Sequence, residues 1–400
     1  MLDYYDALQA LLNELSPSSI EDKPLLDAVG LVLAEDLTVK HDAPLFDNSA
    51  MDGYALGGVL DGCQQWRIID RIVAGDSAAD TELTTGQAVR IFTGAPIPKG
   101  TATVVLQENA HVENGVLIVS KPVRQGQNIR YQGEELAKGA CLLSSHQCLT
   151  PAMVALLASQ GYVTVPVFKS LKICVFSTGN EVIEPCQPLV EGKIYDANRY
   201  LLLSWLKQSS HQITDGGILP DNQEKTEQAL CKASEEFDVV ITSGGVSVGE
   251  EDHVRKSIEQ LGRLVFWKLA IKPGKPFAWG EINDTKIFML PGNPVSSLVT
   301  FQQLVIPALN VLAGKTIQDA QPNSLMVRSD FAVTKLQSRR EFLRINLVTS
   351  DEGFNAVLLA NQGSAMLSTC VKANALAEIP PETTVSQGDI IKVFLLNYKV

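Results

Sequence analysis

A chain of 400 residues exceeds one compact core, so two to four domains are expected, and 45% hydrophobic with 20% charged residues argues against disorder. A net charge of −12 argues against nucleic acid or an anionic membrane as partner, because both would repel it. A small anion remains open, since a site can be basic on an acidic protein. The first residues carry Asp3 and Asp6 without Lys or Arg, so no secretory leader is expected. No apolar run approaches the roughly 18 residues of a membrane span, and a cytoplasmic location is the expectation. The seven cysteines are odd in number and form no CxxC, and the five histidines lie far apart. They read as reduced thiols used as small hydrophobes, with no zinc or iron–sulfur site.

In chain order, Tyr5, Leu8, Leu12 and Leu15 recur at helical spacing, with Asp3 to cap and Pro17 to stop the helix. A second amphipathic stretch runs from Pro24 to Asp36. From Asp42 to Gln132 short β-branched runs alternate with Gly and Pro: Trp66 to Ile72, Ala88 to Thr93, Thr103 to Gln107 and Val116 to Lys121. Strands so spaced suggest a small all-β unit. A weakly helical segment follows Pro151, and Tyr162 to Val167 is strand-like.

The middle alternates strands and helices. Strands are expected at Leu171 to Phe176, Gln212 to Leu219, Asp238 to Thr242 and Lys286 to Leu290. Helices are expected at Ala197 to Lys207, Asn222 to Glu236 and Asp252 to Leu261. The order implies a mostly parallel, doubly wound α/β sheet, whose ligands gather beyond the carboxyl ends of its strands. A last β-rich segment, 316 to 400, would be a separate small domain.

Four elements carry candidate chemistry. Thr242 to Gly249, with Ser243, Gly244 and Gly245, joins a strand to a helix; paired glycines let backbone N–H groups approach a phosphate, although a tight turn would also select them. Leu290-Pro291-Gly292-Asn293-Pro294 also joins strand to helix, and a turn capped by Asn293 explains it equally well. Pro307 is expected to kink or end that helix. In Trp267 to Pro276, Lys268 and Lys272 would share one strand face and Lys275 follows a Pro-Gly turn, which suits a multiply charged anion or merely a solvated face. Dispersed acids, Asp52, Glu181, Asp221 and Asp252, are hard ligands of the kind magnesium takes, although Asp221 and Asp252 also fit as helix caps.

Taken together, the segments resemble the MoeA-type molybdopterin molybdenumtransferases, the family that includes the C-terminal part of gephyrin. The matching pieces are Ser49 to Ala55, Phe92 to Pro98, Asn128 to Arg130 with Gly133 to Glu135, Ser177 to Glu181, Ser243 to Asp252, Lys268 to Pro276 and Leu290 to Pro294. Each is weak alone, but the ordered set is specific. Glu135 stands where the family more often has Asp, and in the last domain only Arg344 and Gln362 to Ser364 align.

The resemblance implies an elongated irregular domain from 1–40 and 136–168, a β-rich insert at 41–135, an α/β domain at 169–315 and a β-barrel-like domain at 316–400. It implies a homodimer that takes adenylylated molybdopterin and molybdate, inserts the metal and releases AMP with the help of Mg2+. Lys268, Lys272, Lys275 and Arg130 would neutralise the anions, and Glu181, Asp221 and Asp252 would hold magnesium. Asp52 and Thr93 would reach across the dimer to close a shared site. Thr178, Gly179, Ser243, Gly244, Gly245, Pro291, Gly292 and Pro294 would shape the substrate cradle, with Arg344 and Ser364 at its rim. Contacts with the molybdopterin adenylyltransferase and with acceptor molybdoenzymes would follow. Three alternatives are the adenylyltransferase itself and a hydrolase of pyridine nucleotides, which both share the α/β domain but lack Ser49 to Tyr54 and Thr93 to Pro98, and a non-catalytic peptide-binding scaffold.

Overall fold

The computed structural model describes residues 1–58, 65–246, 253–351 and 353–396. The chain divides into two compact units, residues 36–145 with 155–163 and the remainder.

The larger unit begins with helix α1, Tyr4–Asn13, capped by the Asp3 carboxylate, which accepts the Tyr5 N–H at 2.8 Å. Its buried face carries Tyr4, Ala7, Leu8, Leu11 and Leu12, so Leu8 and Leu12 stand as expected, whereas Tyr5 is exposed and Leu15, though buried, lies past the helix end. The amphipathic stretch from Pro24 makes only one 3₁₀ turn, Leu25–Ala28.

The α/β part comprises β1 (Lys172–Thr178), α2 (Asn198–Leu206), β2 (Gln212–Leu219), α3 (Gln223–Glu236), β3 (Val239–Ser243), α4 (His253–Leu261), β4 (Arg263–Lys268), β5 (Pro276–Ile282) and β6 (Thr285–Leu290). The sheet order is β2-β1-β3-β6-β5-β4; the first four strands and β4 run in one direction, and β5 runs antiparallel to both its neighbours. Alternation along β1 covers both faces. Ile173 and Val175 belong to the core that also holds residues of α1 and α2, while Cys174 and Phe176 belong to a second core with Leu230, Val254 and Ile258.

The next helix, α5, runs from Pro294 to Leu312 and continues through Pro307. A π-helical turn at Phe301–Val305 lies just before the proline, where its ring would otherwise meet the preceding turn. With 19 residues and a mean hydropathy of 1.5, α5 is long and apolar enough for a membrane span, contrary to the sequence expectation. Ser296, Ser297, Thr300, Gln302 and Gln303 interrupt the apolar run in the sequence, yet all are buried. The helix is 89% buried within the protein and belongs to its core.

Five C-terminal strands, β7 (Ser324–Ser329), β8 (Arg340–Ser350), β9 (Gly353–Leu358), β10 (Ala375–Ile379) and β11 (Ile390–Leu395), close into a barrel through the β8–β10 pairing. A short strand, Ile271–Lys272, adds to β8.

The smaller unit holds a six-stranded, largely antiparallel sheet. Gln65–Ile72, Gln87–Ile91, Thr101–Leu106 and Val116–Val119 are its expected strands, joined by Gly53–Gly57 and Ala110–Glu113.

Candidate active site

The four parallel strands end in one row. Thr178 pairs with Leu219, Ser177 with Ser243, and Ser243 with Leu290, so the loops that follow emerge side by side. Lys268 at the end of β4 pairs with Pro276 at the start of β5, which extends the same edge. A cleft of about 920 Å³ opens there, a volume suited to a ligand of several fused or linked rings.

Most of the sequence-predicted residues meet at this cleft. Thr178, Gly179, Glu181, Asp221, Ser243, Gly244, Gly245, Lys268, Lys275, Pro291, Gly292 and Pro294 all line it. Glycine is required at two of these positions. Gly244 has φ +97°, and a Cβ there would meet Thr178 Oγ1 at 2.4 Å; Gly179 has φ +122°, and its Cβ would meet Glu181 Oε2 at 2.3 Å.

Asp221 is not a helix cap. Asn222 caps α3 by accepting the Lys225 N–H at 3.0 Å, while Asp221 Oδ2 accepts the Asn180 N–H at 2.8 Å beside Glu181. The acids therefore stand after β2 and β1, and Lys268 and Lys275 at the β4–β5 end. From β1, which Glu181 follows, to β5, which Lys275 precedes, is three strand spacings of about 4.8 Å, roughly 14 Å. An extended ligand suits this arrangement.

Lys268 and Lys272 do not share a strand face. Lys268 ends β4, whereas Lys272 lies on the short strand beside β8, where its ammonium donates to the buried Glu341 at 2.7 Å. Lys272 is off the cleft lining. Arg344 is fully buried in the barrel and donates to Thr369 Oγ1 at 2.6 Å and to the Asn361 and Gly363 carbonyls at 2.8 and 3.1 Å. Burial holds its pKa below the usual arginine value. Ser364 is also off the lining: its carbonyl accepts the Val295 N–H at 3.0 Å, and the next residue, Ala365, forms the wall. Asn293 occupies the cap position of α5 without a side-chain cap bond.

In the smaller unit, Asp52 and Thr93 meet. Asp52 Oδ1 accepts the Thr93 N–H at 2.8 Å and its hydroxyl at 2.7 Å, and these bonds hold the carboxyl below its ordinary pKa. Arg130 is exposed on the two-residue strand Ile129–Arg130, paired with Asn48–Ser49. Asp252 lies outside the described residues. Among the described residues no three His, Cys, Asp or Glu side chains gather as a metal site.

The structure adds a wall that the sequence reading took only as a helix start. Tyr195, Asp196, Ala197 and Asn198 line the cleft. Arg199 beneath them is 2% exposed and bonds Asp196 at 2.8 Å, together with Glu184 and Asp215. Its burial would lower its pKa, but the bonds to Asp196 and Asp215 push it well up. The Asp-Ala-Asn-Arg string is polar at a helix start, and this is the one sequence signal that could have marked it.

Comparison with known proteins agrees with this architecture. Residues 2–161 match the MoeA N-terminal region (domain I and II), residues 174–311 a probable molybdopterin binding domain, and residues 326–396 the MoeA C-terminal region (domain IV). The chain is 39% identical to a molybdopterin molybdenumtransferase of Haemophilus influenzae, over 100% of its own length and 99% of the relative's. It is 33% identical to one from Nostoc, covering 94% and 90% of the two chains. The crystal structure of a molybdopterin biosynthesis MoeA protein from Pyrococcus horikoshii superposes with a TM-score of 0.83 at 30% identity, covering 99% of this chain and 100% of that one. By its sequence along the whole length, and by the fold that carries the cleft, the chain belongs to the MoeA family of molybdopterin molybdenumtransferases.

Proposed function

We propose that the chain is an enzyme of molybdenum cofactor biosynthesis that inserts molybdate into adenylylated molybdopterin and releases AMP. The observation that carries this reading is the cleft of about 920 Å³ with carboxylates after β1 and β2 and lysines at the β4–β5 end. A pterin linked through a pyrophosphate to adenosine is extended enough to meet both groups, and its phosphates are anions of the kind the lysines suit. The match to MoeA N- and C-terminal regions favours this activity over the adenylyltransferase, for which the α/β domain would suffice.

Lys268 and Lys275 would reduce the repulsion between molybdate and the substrate phosphates, which otherwise opposes their approach. Lys272 would join them only by leaving Glu341. The glycine loops would present N–H groups to the phosphates. Glu181 and Asp221 fit magnesium, which takes one or two carboxylates and completes its shell with phosphate and water; Asp252 would be a further ligand. When bound, the metal would polarise the phosphoanhydride toward cleavage. The test is AMP release from adenylylated molybdopterin on addition of molybdate and Mg2+. Substrate that stays intact under those conditions would remove the reading.

The same proposal extends to a cytoplasmic homodimer with shared sites, in contact with the molybdopterin adenylyltransferase and acceptor molybdoenzymes. Asp52, Thr93 and Arg130 of one subunit would serve the cleft of the other. Mixed dimers of Asp52→Ala and Asp252→Ala chains would then hold one intact site and one doubly defective site. Random exchange makes about half the dimers mixed, so roughly a quarter of wild-type activity returns. Mass spectrometry first verifies exchange, and absence of recovery in verified mixed dimers rules out the shared site.

A further inference from the structure

Asn198 stands in the first turn of α2, at the cleft, and one amide nitrogen serves two loops. Its Nδ2 donates to Ser243 Oγ at 2.8 Å and to the Gly292 carbonyl at 2.8 Å. Ser243 opens the glycine loop after β3, and Gly292 lies in the Pro-Gly-Asn-Pro loop after the neighbouring β6. Asn198 Oδ1 is buried and has no partner among the described residues. An unmet buried acceptor costs about 1–3 kcal/mol, so the two donated bonds must outweigh it to hold the amide in this orientation.

The turn that carries Asn198 is itself fixed. Asp196 Oδ1 accepts the Arg199 N–H at 3.1 Å, and the Arg199 guanidinium ties Asp196 to Asp215 on β2 and to Glu184. A side chain on a rigid turn, bonded to two glycine-bearing loops, sets their separation. We infer that Asn198 is a positioning residue that straps the glycine loop to the Pro-Gly-Asn-Pro loop and so sets the width of the phosphate cradle. The inference rests on the reading of this cleft as the site of a phosphate-bearing substrate.

The test compares the full chain with Asn198→Ala and Asn198→Asp by hydrogen–deuterium exchange and by AMP-release kinetics. Peptides covering 243–246 and 290–293 exchange faster together in both variants, while β1 and β2 keep their protection. KM for adenylylated molybdopterin rises about tenfold and kcat stays within about twofold, because a loosened cradle weakens ground-state and transition-state binding alike. Asn198→Asp does no better than Asn198→Ala, since an ionised carboxylate has no proton to give the Gly292 carbonyl. Unchanged exchange in the two loops, or an unchanged KM, overturns the strap. Faster exchange spread over the whole sheet also overturns it, by making Asn198 a general stabiliser. A wild-type chain that releases no AMP sinks the proposed reaction alone, and the exchange pattern then decides the strap.

Discussion

The two edges of the parallel sheet differ in the polar groups they leave open. At the amino edge, Asp238 Oδ2 accepts the Lys172 N–H at 2.7 Å, and the Thr285 hydroxyl donates to the Phe237 carbonyl at 2.6 Å. Strand starts there are tied to one another by side chains. At the carboxyl edge, Ser177 Oγ and Asn198 Oδ1 are buried without partners among the described residues, and Glu181, Lys268 and Lys275 are exposed. Two unmet polar atoms beside exposed charges and a cleft are the features of an edge left open to a ligand. On the proposed reading the amino edge would serve stability and the carboxyl edge the reaction.

The largest effect should come from the carboxyl edge. Glu181→Gln and Asp221→Asn should each lower AMP release at least about a hundredfold, with a rise in the Mg2+ needed. Melting temperatures should stay near wild type, because neither charge is paired with a cation among the described residues and Asn can still accept the Asn180 N–H. A variant that melts early but keeps its rate would place that residue with the amino edge instead.

Legibility in the sequence follows the same division. Glycine pairs, a strand-end acid and a Pro-Gly turn are local signals, so the loops after β1, β3 and β6 could be read in order. Contacts that form only when distant segments pair could not. Lys268, Lys272 and Lys275 look equivalent in one string, yet sheet pairing sends Lys272 to the barrel. Arg344 looks like a site residue, but its bonds to the Asn361 and Gly363 carbonyls make it a support for the loop that places Ala365. The Asp196–Arg199 anchor was missed because its partners, Glu184 and Asp215, come from separate elements. The Pro307 helix continues because a π turn, invisible to apolar periodicity, takes up the strain.

An intermediate effect tests the amino edge through pH. His211 precedes β2, and its ring accepts from the Leu171 N–H at 3.4 Å. Burial, aided by the Lys315 charge and opposed by Asp238, lowers its pKa from 6.5 to about 4. The folded chain thus resists a proton that the unfolded chain takes up. This contribution is intact above pH 6.5 and is lost as pH falls from 6.5 toward 4, on the order of 2 kcal/mol by pH 5. His211→Gln should flatten the stability curve across that window and leave KM at neutral pH unchanged. Denaturant unfolding at several pH values reads the slope. An unaltered slope in the variant removes His211 from the acid response.

The smallest effect separates two lysines three residues apart. Lys275 lines the cleft and is exposed, so Lys275→Ala should weaken binding of the adenylylated pterin about tenfold without lowering the melting temperature. The loss should shrink at high salt, because added ions screen the same attraction in the wild type. Lys272→Ala should instead cost about 1 kcal/mol of stability, since it leaves the Glu341 carboxylate, 8% exposed, without its cation. Glu341→Gln then separates packing from charge. In the Lys272→Ala background it should restore stability by removing the stranded charge, and in the Lys275→Ala background it should restore no affinity. Titration and melting on the four variants give both readings. If Lys275→Ala lowers stability as Lys272→Ala does, the boundary between ligand edge and barrel is not where the strand pairing draws it.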